Sequence, residues 1–408
     1  MPKTEYAVSV DVGSSAVRVV VATPQGQNLN VLGVGQVPSR GVRKGAIVDI
    51  EEASSAIREA VDQAAHMVGV EIGSAYVALS SHQIEMTRGH GVVAVAADDH
   101  EIHEGDVRRV VEAAGVVALP PERQIVDIVP QQYIVDGLGG ISDPRGMVGV
   151  RLEVEASILT GSRTVLHNLE RALQGAGLTV NGMVLSALGA GTTVLSADER
   201  ELGAVLCDLG GGSTAVSVFE HGVLVYTGVV DAGGEYVTND IALGLRVDSD
   251  TAEKIKRRYG CAMERLANEE TTFSVPHVGS RGETSFTQRD LAAIIEPRIE
   301  ELLLLAKDRL LQAGFHEPPA SGVVLIGGQT AMPGIAEKAE EIWGVPVRIA
   351  TPPYVGVRDA VFVNGVGVLQ YVLRAFRGHA PTAENTHGRS SNAGWVNRIR
   401  GWFSDFVS

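Results

Sequence analysis
The chain has little of what a secreted, membrane-spanning or nucleic-acid-coating protein needs. Two cysteines, Cys207 and Cys261, occur in 408 residues. That is too few for a disulfide framework, and Cys207 sits in an apolar strand pattern, so both read as reduced cytoplasmic thiols. Aromatic residues are scarce at 5%, while the hydrophobic share of 45% is ordinary for a globular protein. No run of about 18 apolar residues is present to span a bilayer. The stretch 302–305 is apolar, but Glu300, Glu301, Lys307 and Asp308 bracket it as a packed helix. Met1-Pro2-Lys3-Thr4-Glu5 enters a strand pattern at once, without the apolar segment of a signal peptide. Basic residues are outnumbered 34 to 49, for a net charge of −15, which argues against a general nucleic-acid surface. His100 and His103 lie among Asp98, Asp99, Glu101 and Glu104, the composition of a solvated helix face rather than a metal site. No cysteine is paired with a histidine for covalent catalysis. Neither a G-x-x-x-x-G-K-[ST] loop nor a strand-coupled G-x-G-x-x-G is found.

What the chain does have is glycine placed at strand ends beside carboxylates and hydroxyls. In residues 205–218 an apolar strand ends on Asp208, turns through Gly210-Gly211-Gly212 and resumes after Ser213-Thr214. Consecutive glycines let backbone N–H groups converge on an anion, and the hydroxyls add donors. A single acid at the strand end suits Mg²⁺ held through water. Residues 6–21 repeat the design with Asp11, Gly13, Ser14 and Ser15. Two ordinary tight turns would also use Asp and Gly. The pairing reads instead as the internal repeat of a duplicated nucleotide-binding fold. A third element, strand 323–326 followed by Gly327-Gly328-Gln329 and then Pro333-Gly334, precedes a charged helix over 336–343. Its glycines allow a flat base or ribose to approach, and the helix N-terminus favours phosphate. The length fits about two to four domains.

The end of the chain differs in kind. Residues 377–393 contain Gly, Pro, Ser, Thr, Asn, His and charges, with alanine as the only apolar type. This is linker composition, able to reach roughly 55–60 Å when extended. In residues 394–408, Trp395, Val396, Ile399, Trp402, Phe403, Phe406 and Val407 fall on one helical face, while Asn397, Arg398, Arg400 and Asp405 occupy the other. A short tethered helix has no core of its own. Its Trp and Phe face with flanking Arg suits the bilayer interface, the alternative being docking on its own or another protein.

The order of the two Asp hairpins and the strand-Gly-Gly element resembles the actin-like ATPase superfamily. Within it, residues 41–51 with Arg43-Lys44-Gly45 and Asp49-Ile50-Glu51, residues 231–242 with Gly233-Gly234 and Val237-Thr238-Asn239-Asp240-Ile241-Ala242, and Gly365-Val366-Gly367-Val368 closely resemble the FtsA family of bacterial cell-division proteins. The resemblance covers residues 5–376, and the tail adds to it. It implies an α/β fold: a duplicated, RNase H-type actin-like architecture with two nucleotide-binding halves, an inserted subdomain 1C and a C-terminal amphipathic helix. Subdomain 1A takes residues 1–83, 162–200 and 352–376; the inserted 1C, 84–161; subdomain 2A, 201–236 and 291–351; and subdomain 2B, 237–290. The linker is 377–393 and the membrane-targeting helix 394–408. Helices are expected over 53–68, over 104–114 in the insert, and over 294–312, the last entered through Pro297. The insert should also carry a Gly-rich loop over 137–149.

The resemblance implies ATP or ADP with Mg²⁺ as cofactors. Asp11 and Asp208 would order the metal's waters. Gly13, Ser14, Ser15, Gly210, Gly211, Gly212, Ser213 and Thr214 would meet phosphates. Gly233 and Gly234 would approach from the second half, Glu253 and Lys256 would reach ribose and base, and Gly327, Gly328 and Met332 would bound the adenosine. Glu253 and Lys256 are spaced i, i+3, which also describes an ordinary surface ion pair. Relatives often carry Lys near Ala16, so Arg18 is the residue that could reach in, and Gln329 stands where a third glycine is common. No Gln or Glu lies in residues 184–191 to orient an attacking water. Tight binding with weak or no ATPase activity is therefore expected. The implied role is a self-associating, peripheral protein on the cytoplasmic face of the membrane at the division site. Subdomain 2B would meet the FtsZ tail, with Lys254, Lys256, Arg257 and Arg258 as candidates, and 1C would meet later division proteins. The rivals are a PilM-like pilus-assembly adaptor and an actin-fold sugar kinase.

Overall fold
The computed structural model describes residues 6–276, 283–317 and 319–378. Strand β1 (Ala7–Val12) turns through Gly13-Ser14-Ser15 into β2 (Ala16–Gln25), which is followed by β3 (Asn28–Pro38). Val8, Val10, Val17, Val19 and Val21 are buried, in the pleated setting that suits branched side chains. A small hairpin, β4 (Val42–Arg43) and β5 (Ala46–Ile47), leads into α1 (Ile50–Val68), then β6 (Ser74–Leu79). Helix α1 starts before the expected 53 because Asp49 caps it, accepting from the Glu52 N–H at 3.0 Å.

After a 3₁₀ turn at Ser81–Gln83 the chain leaves this sheet. Strands β7 (Ile84–Ala94), β8 (Arg123–Val135), β9 (Leu138–Ile141) and β10 (Arg151–Ser162), with helix α2 (Glu104–Ala114), build a separate unit. Its antiparallel sheet runs β7-β10-β8-β9, and Val110, Val111, Leu152 and Val154 form its own core. The charged stretch 104–114 is the helix its pattern predicts. His100 and His103 are not on its face, however. His103 is its N-cap residue, and His100 lies in the preceding turn at φ 58°. The Gly-rich segment 137–149 is not all loop, since it supplies β9.

The first lobe is completed by α3 (Arg163–Gly175), β11 (Thr179–Leu185), α4 (Ser186–Val194) and α5 (Ala197–Leu202). The second lobe opens with β12 (Ala204–Leu209), β13 (Thr214–Glu220), β14 (Val223–Val230), α6 (Gly234–Leu245) and α7 (Ser249–Tyr259). A hairpin of β15 (Thr272–Pro276) and β16 (Glu283–Thr287) precedes α8 (Gln288–Gln312), β17 (Val323–Ile326), α9 (Ile335–Trp343) and β18 (Val347–Ile349). Helix α8 begins six residues before the expected 294, at a Thr287–Asp290 capping box, and holds Pro297 in its interior. Its buried Leu291, Ile295, Ile299 and Leu303 compensate for the bond that the proline removes.

The two lobes repeat one topology. Sheet β3-β2-β1-β6-β11 and sheet β14-β13-β12-β17-β18 each place an antiparallel three-stranded meander beside two parallel strands. The last helix, α10 (Val363–Gly378), returns to the first lobe and packs along α4. It runs past the expected end of the lobe at 376 to Gly378, into the segment read as linker. The rest of that segment and the amphipathic helix of 394–408 lie outside the described residues. Among the described residues, no helix is long and apolar enough to cross a membrane.

Candidate functional site
The repeated topology brings the carboxyl-terminal ends of β1 and β12 to face each other. A cavity of ≈ 440 Å³ lies between the lobes, of a size that suits a small-molecule ligand. Asp11, Gly13, Ser14 and Ser15 line it from the first hairpin, and Asp208, Gly210, Gly211, Gly212 and Ser213 from the second. The hairpin tips touch: a Cβ on Gly211 would fall 1.7 Å from Ser15 Oγ, and one on Gly212 2.6 Å from Ser14 Oγ. Gly327, Gly328 and Met332 line the cavity beyond β17, together with Gln329.

Glu253 and Lys256 also line it, and they are more than a surface pair. Lys256 is buried, with Nζ 2.6 Å from Glu253 Oε2 and donating to Thr238 Oγ1 at 2.7 Å and the Gly234 carbonyl at 3.0 Å. Burial works against the Glu253 carboxylate, yet Lys256, Thr238 and Arg257 outweigh it and hold its pKa low. Burial also draws Lys256 down, against the opposing pull of Glu253.

Three of the expected residues are not among those lining the cavity. Thr214 is buried with its hydroxyl donating to the Ala232 carbonyl at 2.9 Å. Gly233 packs on backbone, where a Cβ would lie 2.6 Å from the Gly211 carbonyl oxygen. Gly234 packs under Gln329, 1.6 Å from its Nε2 by the same measure. These glycines let the loops of the site stack on one another. Trp395, Val396, Ile399, Trp402, Phe403, Phe406 and Val407 lie outside the described residues.

Between the two hairpins the electrostatics are set by Asp11, Asp208 and Arg18. Burial pushes Asp11 up to about 6, with Arg18 opposing and Asp208 adding to the rise. Burial raises Asp208 too, against the Asn364 hydrogen bond and Arg18. Arg18 stands opposite Asp11 in the β1–β2 register, its Nη1 3.9 Å from Asp11 Oδ2. Burial pushes the neighbouring Cys207 thiol up as well, so it is inert.

Several lining residues carry no local sequence signal. Asn364 at the start of α10 donates from Nδ2 to Asp208 Oδ2 at 2.9 Å. Gln83, in the turn before β7, donates to the Gly45 carbonyl at 2.5 Å and lines the cavity. Ser186 is the lining residue from the 184–191 segment that bears a side-chain hydroxyl. Arg18 Nε, Gln83 Oε1, Gln329 Oε1 and Asn364 Oδ1 are buried without a hydrogen-bond partner, and all four residues line this cavity. Unsatisfied polar atoms gathered round one cavity fit a polar ligand. The donor set fits a nucleoside triphosphate with Mg²⁺: glycine N–H groups and hydroxyls for phosphate, and two carboxylates for a hydrated cation.

Comparison with known proteins gives a concordant result. A family model described as "Cell division protein FtsA" matches residues 205–367, and one described as "SHS2 domain inserted in FTSA" matches residues 81–160. Cell division protein FtsA of Bacillus subtilis is 45% identical over 92% of this chain and 86% of its own length. The Escherichia coli protein of the same name is 32% identical over 98% of this chain and 97% of its own, so that alignment extends into the tail. Among solved structures, a PilM–PilN type IV pilus biogenesis complex superposes with a TM-score of 0.63 at 17% identity, covering 93% of this chain and 100% of that one. MreB5 of Spiroplasma citri bound to ADP gives 0.55 at 13%, covering 92% and 99%. At these identities the two structures show a shared actin-like fold.

Proposed function
Because the chain belongs to the FtsA family of cell division proteins, we propose that it is an ATP-binding, self-associating adaptor that ties the FtsZ ring to the cytoplasmic face of the membrane. The observation that carries the nucleotide half is the convergence of both Asp hairpins, the Glu253–Lys256 pair and Gly327-Gly328 on one cavity. The phosphates go to the hairpin tips, where Gly211, Gly212 and Ser14 meet. Bound Mg²⁺ would supply the positive charge that two facing carboxylates and a polyphosphate together lack. Lys256, its three donors taken by Glu253, Thr238 and the Gly234 carbonyl, holds the Glu253 carboxylate where ribose hydroxyls can donate to it. Residues 182–191 offer Ser186 and no carboxamide or carboxylate to orient a water. The nucleotide thus acts chiefly as an assembly ligand with slow turnover.

The membrane half rests on the sequence of 394–408. One short amphipathic helix binds lipid weakly, and many of them on one assembly bind together through multivalency. Subdomain 2B is the docking surface for the FtsZ tail, and the inserted 1C meets self-association partners and later division proteins. Family membership sets aside the pilus-assembly and sugar-kinase readings.

The test is liposome co-sedimentation of the full chain and of a chain ending at Ala393, each with and without ATP. The full chain should pellet with lipid, more so with ATP, and the shortened chain should stay in solution. Equal pelleting of both chains would remove the anchor from 394–408.

A further inference from the structure
Asp208 is held from two sides by parts of the chain outside its own hairpin. On one side Asn364 Nδ2 donates to Oδ2 at 2.9 Å. On the other, Gly327 at φ 92° lies so close that a Cβ there would sit 2.4 Å from Oδ1. The Asn364 amide is committed by this bond. With its NH₂ turned to a carboxylate, which only accepts, its Oδ1 is left as an acceptor, and that oxygen is buried with no partner. Asn364, Asp208 and Asp11 line the same cavity. A hydrogen bond that orients a carboxylate lining the cavity also orients whatever that carboxylate holds.

Resting on the reading of this cavity as a nucleotide site, we propose that Asn364 is a positioning residue of the Mg²⁺ site. It fixes the rotamer of Asp208 through Nδ2, and Asp208 in turn meets the water shell of the cation. The residue belongs to α10, the helix that ends the first lobe, while Asp208 ends β12 of the second, so the contact also joins the lobes at the cation. Outer partners that orient metal-site carboxylates typically change metal affinity about 10–100-fold when removed.

The experiment titrates Mg²⁺ into the full-length protein with a fluorescent ATP analogue and repeats the nucleotide titration in EDTA. Wild type, Asn364→Ala and Asn364→Leu are compared, each checked for folding by thermal unfolding. In both variants the Mg²⁺ concentration at half-maximal binding should rise about tenfold, while affinity in EDTA stays within twofold of wild type. The near-isosteric change Asn364→Leu keeps the packing and loses the donor without adding a charge, so it decides the matter if Asn364→Ala does not fold. An unchanged Mg²⁺ midpoint overturns the proposal. So does an equal loss with and without Mg²⁺, which would mark Asn364 as structural packing alone. Failure of the wild type to bind nucleotide under either condition would instead overturn the reading of the cavity.

Discussion
Burial pushes the Asp11 carboxyl up to about 6, and Arg18 across the strand pair offsets only part of the cost. In the unfolded chain the group titrates near 3.9. Between about pH 4 and 6 the folded state therefore holds a proton that the unfolded state has released. Stability falls as pH rises through that window, by on the order of 3 kcal/mol for this group. Asp11→Asn should raise the urea-unfolding free energy of the nucleotide-free protein at pH 7 by about that amount and leave it flatter between pH 4 and 6. It should also weaken Mg²⁺-dependent nucleotide binding. Opposite signs in the two measurements are the mark of a carboxylate kept for a ligand rather than for the fold. A loss of stability at pH 7 would contradict the burial argument.

At the scale of elements, helices α4 and α10 approach closely because each presents a glycine at the contact. A Cβ on Gly367 would fall 2.4 Å from the Gly189 carbonyl carbon, and one on Gly189 would fall 2.7 Å from the same atom of Gly367. That crossing seats α10 on the first sheet and sets Asn364 and Gly365 at their places, the Gly365 carbonyl accepting from Ser9 Oγ at 2.6 Å. Gly367→Val forces the helices apart, and backbone on the far side cannot yield as a side chain would. The variant should lose about 2–3 kcal/mol or more of stability, read as a lower Tm, and should bind nucleotide more weakly even below the transition. The helix boundaries follow from local chemistry that residue counting overlooks. Asp49 starts α1 and the Thr287–Asp290 box starts α8, each ahead of the first strongly periodic residue.

For the whole molecule, the lobes are bridged near the root of the insert. Thr227 Oγ1 donates to Ser81 Oγ at 2.8 Å, and His82 Nδ1 lies 3.1 Å from Asp231 Oδ1. Both first-lobe partners sit in the 3₁₀ turn that leads into β7. Opening the cleft must break these contacts, so the double variant Thr227→Val, His82→Ala should release a fluorescent nucleotide several-fold faster with little change in Tm. An unchanged dissociation rate would show that opening does not pass through this contact. Since Gln83 of the same turn lines the cavity, cavity and insert share one short segment.

Local grammar determined much of this protein. Asp11 and Asp208 with their glycines and hydroxyls could be read as a repeated hairpin because everything each needs lies within a few residues, and the two do line one cavity. Glu253 and Lys256 were legible for the same reason, being one helical turn apart. The amphipathic face of 394–408 is likewise a property of adjacent residues. Tertiary structure alone decided the remainder. Asn364 reaches Asp208 across 156 residues of chain, and nothing near either residue announces the other. Gln83 lines the cavity because the chain leaves the first sheet at Ser81, a topological fact with no local mark. Gly233 and Gly234 look like ligand-facing glycines in sequence, yet the space they leave is taken by Gly210, Gly211 and Gln329. A glycine records that something comes close, and only the folded chain determines whether that is a ligand or the protein itself.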